Sequence, residues 1–298
     1  MEIKVATYNI DGLPDKLDLK DLPWILKPIC WVYKLIKGTT EVQINDGTNR
    51  KECMTALSKQ LDNINADIVA LEEDFNYHTE VMSSLSDTYN DSTHTGNIDT
   101  KGLFSKTEWW SCFPFPRFKA DGLNLLTKKD KITVKSEDIV NWKHSYGYFS
   151  HANDKLTHKG FRFNTVNTNG VDIDVYTAHF DADFYDPVTC PDISGDLEAR
   201  EQQFYQLGTY ILNRYNNGSR NPIIVMGDFN TTDRQTLQPY IGDLALSEVI
   251  CSEVDIDRIM YINPEESTHI LIPTESYYEE GGLSDHRPYI ASFKIEQK

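Results

Sequence analysis

Asp228 and Asn230 stand two residues apart in VMGDFN, directly behind the apolar run Pro222 to Ile224. On a strand that spacing puts both side chains on one face, and at the strand's end it puts them on a rim. Other reactive groups sit in the same way. Glu72, Glu73 and Asp74 follow DIVAL (Asp67 to Leu71), and His179 closes an alternating run that begins at Val171, with Asp181 and Asp183 after it. Asn9 and Asp11 end the run EIKVATYNI, Asp257 lies in DIDRIMYI, and Asp285 and His286 come just before PYIASFKI. Carboxylates and amides without a cysteine cluster form a hard-oxygen set that suits Mg²⁺, Mn²⁺ or Ca²⁺ better than zinc. Two histidines among them allow acid–base work near neutral pH. A divalent ion, an activated water and cationic imidazoles are what attack on a phosphate ester requires, because phosphoryl charge must be neutralised and the nucleophile aimed in line.

Each residue alone has a plainer reading. An Asn before Asp-Gly caps turns, a lone His is more often a surface or satisfied core residue, and acidic loops are usually just solvated. Their shared place at strand ends raises the chemical reading, since open sheets bind ligands at that rim.

The elements that must do the positioning are legible. Glu2 to Ile10 alternates as a strand, with Ile3, Val5 and Thr7 on one face and Lys4, Ala6 and Tyr8 on the other. Met54, Leu57, Leu61 and Ile64 have helical spacing. Gly122 to Lys128, Gly160 to Val166 and Val171 to Phe180 read as strands, the last two joined by the turn NTNG. Ser194 and Asp196 are placed to cap a long helix whose Leu197, Phe204, Leu207, Ile211 and Tyr215 form one stripe, ending at Asn217-Gly218. Asp255 to Ile262 and Pro288 to Ile295 read as the last strands.

Two aromatic segments fit no strand or core helix. Leu22 to Lys37 carries Trp24, Trp31 and Tyr33 among aliphatics with Lys27, Lys34 and Lys37, as an interfacial segment would, or as an insertion packed on the domain's own surface would. The cluster WWSCFPFPRF at 109–118 reads equally as a substrate wall or a folded surface loop.

Composition sets the outer bounds. The 298 residues contain no linker-like tract and no repeat, which predicts one domain over 1–298 with an insertion at about 14–50. A net charge of −17 argues against a basic nucleic-acid groove. The five cysteines form no C-x-x-C pair, so no zinc or disulfide framework is readable. No signal peptide or membrane-length apolar run is seen, so a soluble chain is expected; the compartment stays open, secreted or periplasmic if the sequence is a trimmed form. There is no G-x-x-x-x-G-K-[ST], no G-x-S-x-G and no Rossmann glycine pattern, which disfavours P-loop and acyl-serine chemistry.

Taken in order, TYNIDGL at Thr7 to Leu13, DIVALEEDF at Asp67 to Phe75, TAHFDA at Thr177 to Ala182, MGDFN at Met226 to Asn230 and SDH at Ser284 to His286 resemble the motifs of the endonuclease/exonuclease/phosphatase superfamily. That group contains deoxyribonuclease I, abasic-site endonucleases, inositol-polyphosphate phosphatases and neutral sphingomyelinases. The resemblance spans almost the whole chain. It implies an α/β fold, a four-layer α/β sandwich of two mixed β-sheets packed face to face with helices outside, and Mg²⁺- or Mn²⁺-dependent phosphoester hydrolysis. By motif, Glu73 would hold the metal with Asn9 and Asp285 nearby, and His286, paired with Asp285, would be general base or phosphate contact. His179 would bind phosphate, Asp228 would orient or deprotonate the attacking water, and Asn230 would stabilise the transition state. Asp11, Asp257 and Glu72, which replaces the family's usual Gln, would support them.

The runs EEDFNYH and DKLTHKGF look more like sphingomyelinase-like and uncharacterised bacterial members than like nucleases. The expected activity is therefore a phosphodiesterase on a lipid or small-molecule phosphoester, with membrane contact through 22–37 and 109–118, acting as a monomer. A metal-dependent nuclease is the alternative, and a non-catalytic phosphate-binding protein of the same fold is the alternative of another class.

Overall fold

The computed structural model describes residues 1–21, 27–43, 49–98, 118–147, 151–183, 192–233, 237–251 and 255–298. Trp24 and nearly all of the 109–118 cluster, up to Arg117, lie outside the described residues. In chain order the elements are β1 (Glu2–Asn9), β2 (Lys16–Asp18), α1 (Lys27–Lys37), β3 (Glu41–Gln43), α2 (Arg50–Ile64), β4 (Ile68–Glu72), α3 (His78–Val81), β5 (Tyr89–Asp91) and β6 (Asn124–Lys128). They continue as β7 (Thr133–Asn141), β8 (Gly160–Thr168), β9 (Val171–His179), α4 (Ser194–Asn216), β10 (Ile223–Asp228), β11 (Leu246–Glu248), β12 (Asp257–Ile262), β13 (His269–Tyr278) and β14 (Tyr289–Gln297).

Ten strand pairings build two large sheets, ordered β13-β14-β1-β4-β6-β5 and β11-β12-β10-β9-β8-β7. Both share one plan. A parallel pair sits near the middle, β1 beside β4 and β9 beside β10, and every other pairing is antiparallel. Parallel neighbours end on the same rim. Asn9 is therefore level with Glu72, and His179 is level with Asp228, which in turn faces Asp257 across the antiparallel side.

The strand alternation read from sequence sorts the core into layers. Ile3 and Val5 of β1 meet Val175, Ile224 and Ile259 of the other sheet, while Ala6 and Tyr8 turn outward toward Met54, Leu57 and Leu61 of α2. Phe204, Leu207 and Ile211 of α4 cover the outer face of the second sheet. The result is a four-layer α/β sandwich, helix, sheet, sheet, helix, as expected. The helix α2 ends where Asn65 takes a left-handed φ of 55° and its N–H returns to Leu61 O.

The start of α4 departs from expectation. Ser194 is the first helical residue rather than a cap, its N–H held by Asp192 Oδ1 at 2.9 Å, and Leu197 is exposed while Asp196 is buried. The buried stripe is rotated to Ala199, Gln203, Phe204, Leu207 and Ile211 because Gln203 turns inward to bind Asp181 and His144 O. No helix among the described residues is long and apolar enough to cross a membrane.

Gly227 explains why a glycine stands inside a buried strand. Its φ is +144°, and a Cβ there would lie 1.9 Å from Ala178 O on the parallel neighbour. Gly227→Ala should therefore lower unfolding free energy by about 1–3 kcal/mol in denaturant titrations, the usual range for overpacking. An unchanged midpoint would contradict the close approach.

Candidate active site

The two parallel pairs bring their carboxyl ends together at one edge of the sandwich. Asn9 is 2 % exposed and its Nδ2 donates both to Glu73 Oε1 at 3.2 Å and to Asp228 Oδ2 at 3.0 Å, so one amide ties the two sheets. Its Oδ1 accepts from the N–H of Asp11. Asp228 is fixed once more, its Oδ1 accepting from the N–H of Asn230 at 2.9 Å. The sequence-predicted residues Asn9, Glu73, His179, Asp228, Asp257 and His286 thus converge, although up to 277 positions separate the first from the last.

The loop that delivers Glu73 is held by backbone geometry. Glu73 takes φ +57°, and Gly12 donates its N–H to Glu73 O at 3.1 Å; a Cβ on Gly12 would stand 2.4 Å from that oxygen. Asp11 and Asn230 also adopt left-handed φ, 48° and 49°. Such residues cluster where surrounding contacts over-determine the backbone.

The three consecutive carboxylates after β4 part company. Glu72 points between the sheets, fully buried, with Oε1 accepting from Thr7 Oγ1 at 3.0 Å and Oε2 unpaired. Burial first, then Asp257 and Asp228, push its carboxyl well above the ordinary range. Glu73 reaches the rim and comes within 4.0 Å of His179 Nε2. Asp74 turns away toward β6, where Asn124 Nδ2 donates to its Oδ2 at 3.0 Å.

The histidines differ in charge. His286 Nδ1 lies 2.6 Å from Asp257 Oδ2 and its Nε2 lies 3.9 Å from Asp228. Burial alone would discharge this ring, but the Asp257 hydrogen bond and the charges of Asp257, Asp228 and Asp285 outweigh it and push the pKa up to about 10. His179 is the reverse: burial, then the cations of Lys159 and His286, hold it well below 6.5, so it is neutral. The expectation of two cationic imidazoles is corrected to one.

The expected pairing of His286 with Asp285 is also corrected. Asp285 is exposed and accepts from Ser284 Oγ at 3.1 Å, while the register of β10 on β12 puts Asp257 beside Asp228 and under the imidazole. Ser284 Oγ also donates to Asn9 O at 2.8 Å, docking the β13–β14 loop onto β1. Asn230 spends one amide hydrogen on Phe180 O at 2.9 Å. Asp11 forms an ion pair with Arg50 at 2.5 Å and is still raised to about 6, by burial and then by Glu73.

Lys159 is the functional residue that sequence reasoning missed. Its Nζ lies 3.0 Å from His179 Nε2 and pairs with the buried Asp154. Burial opposes its charge, but Asp154 and Glu73 raise its pKa above the usual lysine value. Only its place in the DKLTHKGF run hinted at it.

Glu72, Glu73 and Asp11 all sit above their ordinary values, first because burial disfavours their charge and then because neighbouring carboxylates repel it. That is an environment a divalent ion would relieve, and the donors are oxygen atoms suited to Mg²⁺ or Mn²⁺. Asp228, Asp257 and His286 also present ligand atoms within 4.8 Å of one another. Chemically, the rim offers an acceptor carboxylate at Asp228, a cationic donor at His286, a fixed ammonium at Lys159 and a neutral imidazole at His179.

The sequence matches the Endonuclease/Exonuclease/phosphatase family over residues 6–286, and the chain belongs to that family. Its fold is similar to sphingomyelinase C from Streptomyces griseocarneus (15% identity, TM-score 0.59, covering 98% of this chain and 99% of that one). It is similar also to beta toxin from Staphylococcus aureus (14%, TM-score 0.61, 97% and 99%) and to a humanized D. rerio TDP2 (12%, TM-score 0.61, 98% and 99%). No curated protein sequence matches at a significant level.

The Asp257–His286 pair sets a measurable expectation. In metal-free Asp257→Asn protein, the His286 imidazole should titrate near 7 by NMR rather than at about 10. Retention of the high value would show that Asp257 does not hold the charge.

Proposed function

We propose that the chain is a divalent-metal-dependent phosphodiesterase that acts on a lipid or small-molecule phosphoester by in-line attack of an activated water. The observation that carries this reading is Asn9 bridging Glu73 and Asp228 beside a charged and a neutral imidazole. Glu73 would hold Mg²⁺ or Mn²⁺, with Asn9 and Asp285 close by; a beta toxin of similar fold is known with bound magnesium ions. The ion would neutralise phosphoryl charge and polarise the ester.

The chain's own groups do the rest. Asp228, held by Asn9 and by the N–H of Asn230, accepts a proton from water and aims it. His286, charged by Asp257, acts as phosphate contact and proton donor rather than as a base. Lys159 and His179 face the phosphoryl oxygens, and the free amide hydrogen of Asn230 serves the transition state. The supporting residues work from below, with Glu72 and Asp11 tuning the field around Glu73.

A lipid substrate is supported by α1, inside the 14–50 insertion. Trp31, Val32, Leu35 and Ile36 are 65, 47, 64 and 72 % exposed, and with Pro28 they fall on one side of the helix. Exposed Lys34 and Lys37 lie on another side, the only charges on this helix besides Lys27, in a chain of net charge −17. An apolar face edged by lysines is the pattern of a segment lying in a lipid interface. The alternative of packing on the domain's own surface fits this exposure poorly. A monomer with this one contact suffices.

Asp228→Asn and His286→Ala should each lower phosphodiester turnover by about 10²–10⁴-fold at an almost unchanged melting temperature, and EDTA should abolish it until Mg²⁺ or Mn²⁺ is restored. Full turnover in either variant, or in chelator, would overturn the assignment. A metal-supplemented screen over sphingomyelin, phosphatidylinositol phosphates, inositol phosphates and plasmid DNA separates the lipid reading from the nuclease reading. Trp31→Ser with Leu35→Ser should weaken partitioning onto phosphatidylcholine/phosphatidylserine vesicles by about tenfold or more, given the usual worth of burying such side chains. Equal partitioning would remove α1 from the account.

A further inference from the structure

Asp74, the carboxylate that turns away from the rim, enters a second cluster that the proposed reaction does not use. His78 Nδ1 lies 2.7 Å from Asp74 Oδ2, and His78 Nε2 lies 3.0 Å from Asp91 Oδ2. His94 stacks on His78 with ring centroids 4.4 Å apart, and its Nε2 lies 3.0 Å from the backbone oxygen of Asp74. Asp74 is 1 % exposed, and its Oδ1 has no hydrogen-bond partner.

Two details point to a cation. Each histidine has Nε2 against an acceptor, Asp91 for one and Asp74 O for the other, which fixes Nε2–H, and Nδ1 of His78 is left facing the Asp74 carboxylate, where an ion would replace a proton. That is how proteins orient imidazoles that ligate metals. The ligand atoms of Asp74, His78 and His94 also lie within 4.8 Å of one another, against about 3.4 Å for tetrahedral ligands of zinc at about 2.1 Å.

We propose that Asp74, His78 and His94 form a second metal site, selective for zinc-like divalent ions over Mg²⁺, with Asp91 orienting His78. Two imidazoles and one carboxylate are a borderline-soft set, unlike the oxygen set at the rim. The site joins the β4–α3 loop to the segment after β5. It therefore braces the loop that carries Glu73 through the adjacent Asp74. Without metal, a proton takes the ion's place: burial opposes charge on His78, but Asp74 and Asp91 raise its pKa.

The test is equilibrium dialysis of Glu73→Gln protein against Zn²⁺ in excess Mg²⁺, beside the same protein with His94→Gln added, so that any ion held at the rim counts equally in both. One equivalent of Zn²⁺ should be retained, and His94→Gln added to that background should lose it. No retained equivalent, or the same stoichiometry in both proteins, would overturn the site. Imidazole NMR of the unsubstituted chain is independent of any variant's folding. Zn²⁺ should convert His78 and His94 to neutral rings protonated at Nε2, whereas a His78 that stays doubly protonated with Zn²⁺ present would leave only a bridging imidazolium and contradict the proposal. Neither readout involves turnover, so failure here leaves the hydrolase reading untouched.

Discussion

Negative charge gathered in a poorly solvated edge must be answered by positive charge, and most of this site follows from that requirement. Glu72, Glu73, Asp228 and Asp257 are brought within reach of one another by strands whose cores are apolar. Three answers are built in: a proton between Asp257 and His286, the ammonium of Lys159, and a Glu72 carboxyl that burial pushes well above the ordinary range. The remainder is what the proposed ion at Glu73 would answer. Each answer removes one candidate role from a residue. His286 cannot serve as a base while it is charged, and Glu72 is too deep to share the rim with Glu73.

The sandwich supplies the gathering. Two sheets of the same plan each carry a parallel pair near the middle, and only a parallel pair ends two strands on one side. Packing the sheets face to face sets those rims against each other, with Asn9 as the crosspiece. Close backbone approaches at Gly12 and Gly227 are the steric cost of seating Glu73 and Asp228 there.

Much of this was readable from sequence because apolar runs with polar ends have one economical explanation. Strands β1, β4, β9 and β10, the stripe of α2 and the rim positions of Asn9, Glu73, His179 and Asp228 all follow from it. What escaped depends on partners distant in the chain. That Asp257, not Asp285, orients His286 is decided by the register between β10 and β12. Lys159 lies in a polar loop, and its charge matters only once Asp154 and His179 surround it. Arg50, the counter-charge of Asp11, begins a helix and would ordinarily be solvated. The inward turn of Gln203, which exposes Leu197, is a hydrogen-bonding choice that hydrophobic spacing does not encode.

The central claim, that the rim is completed by a divalent ion, is most directly tested by anomalous diffraction from crystals soaked in Mn²⁺. The account predicts a peak about 2.1 Å from a Glu73 carboxylate oxygen, the distance expected for a small hard cation. A Glu73 carboxylate without such a peak at saturating Mn²⁺, with Asn9 still bridging it to Asp228, would contradict it.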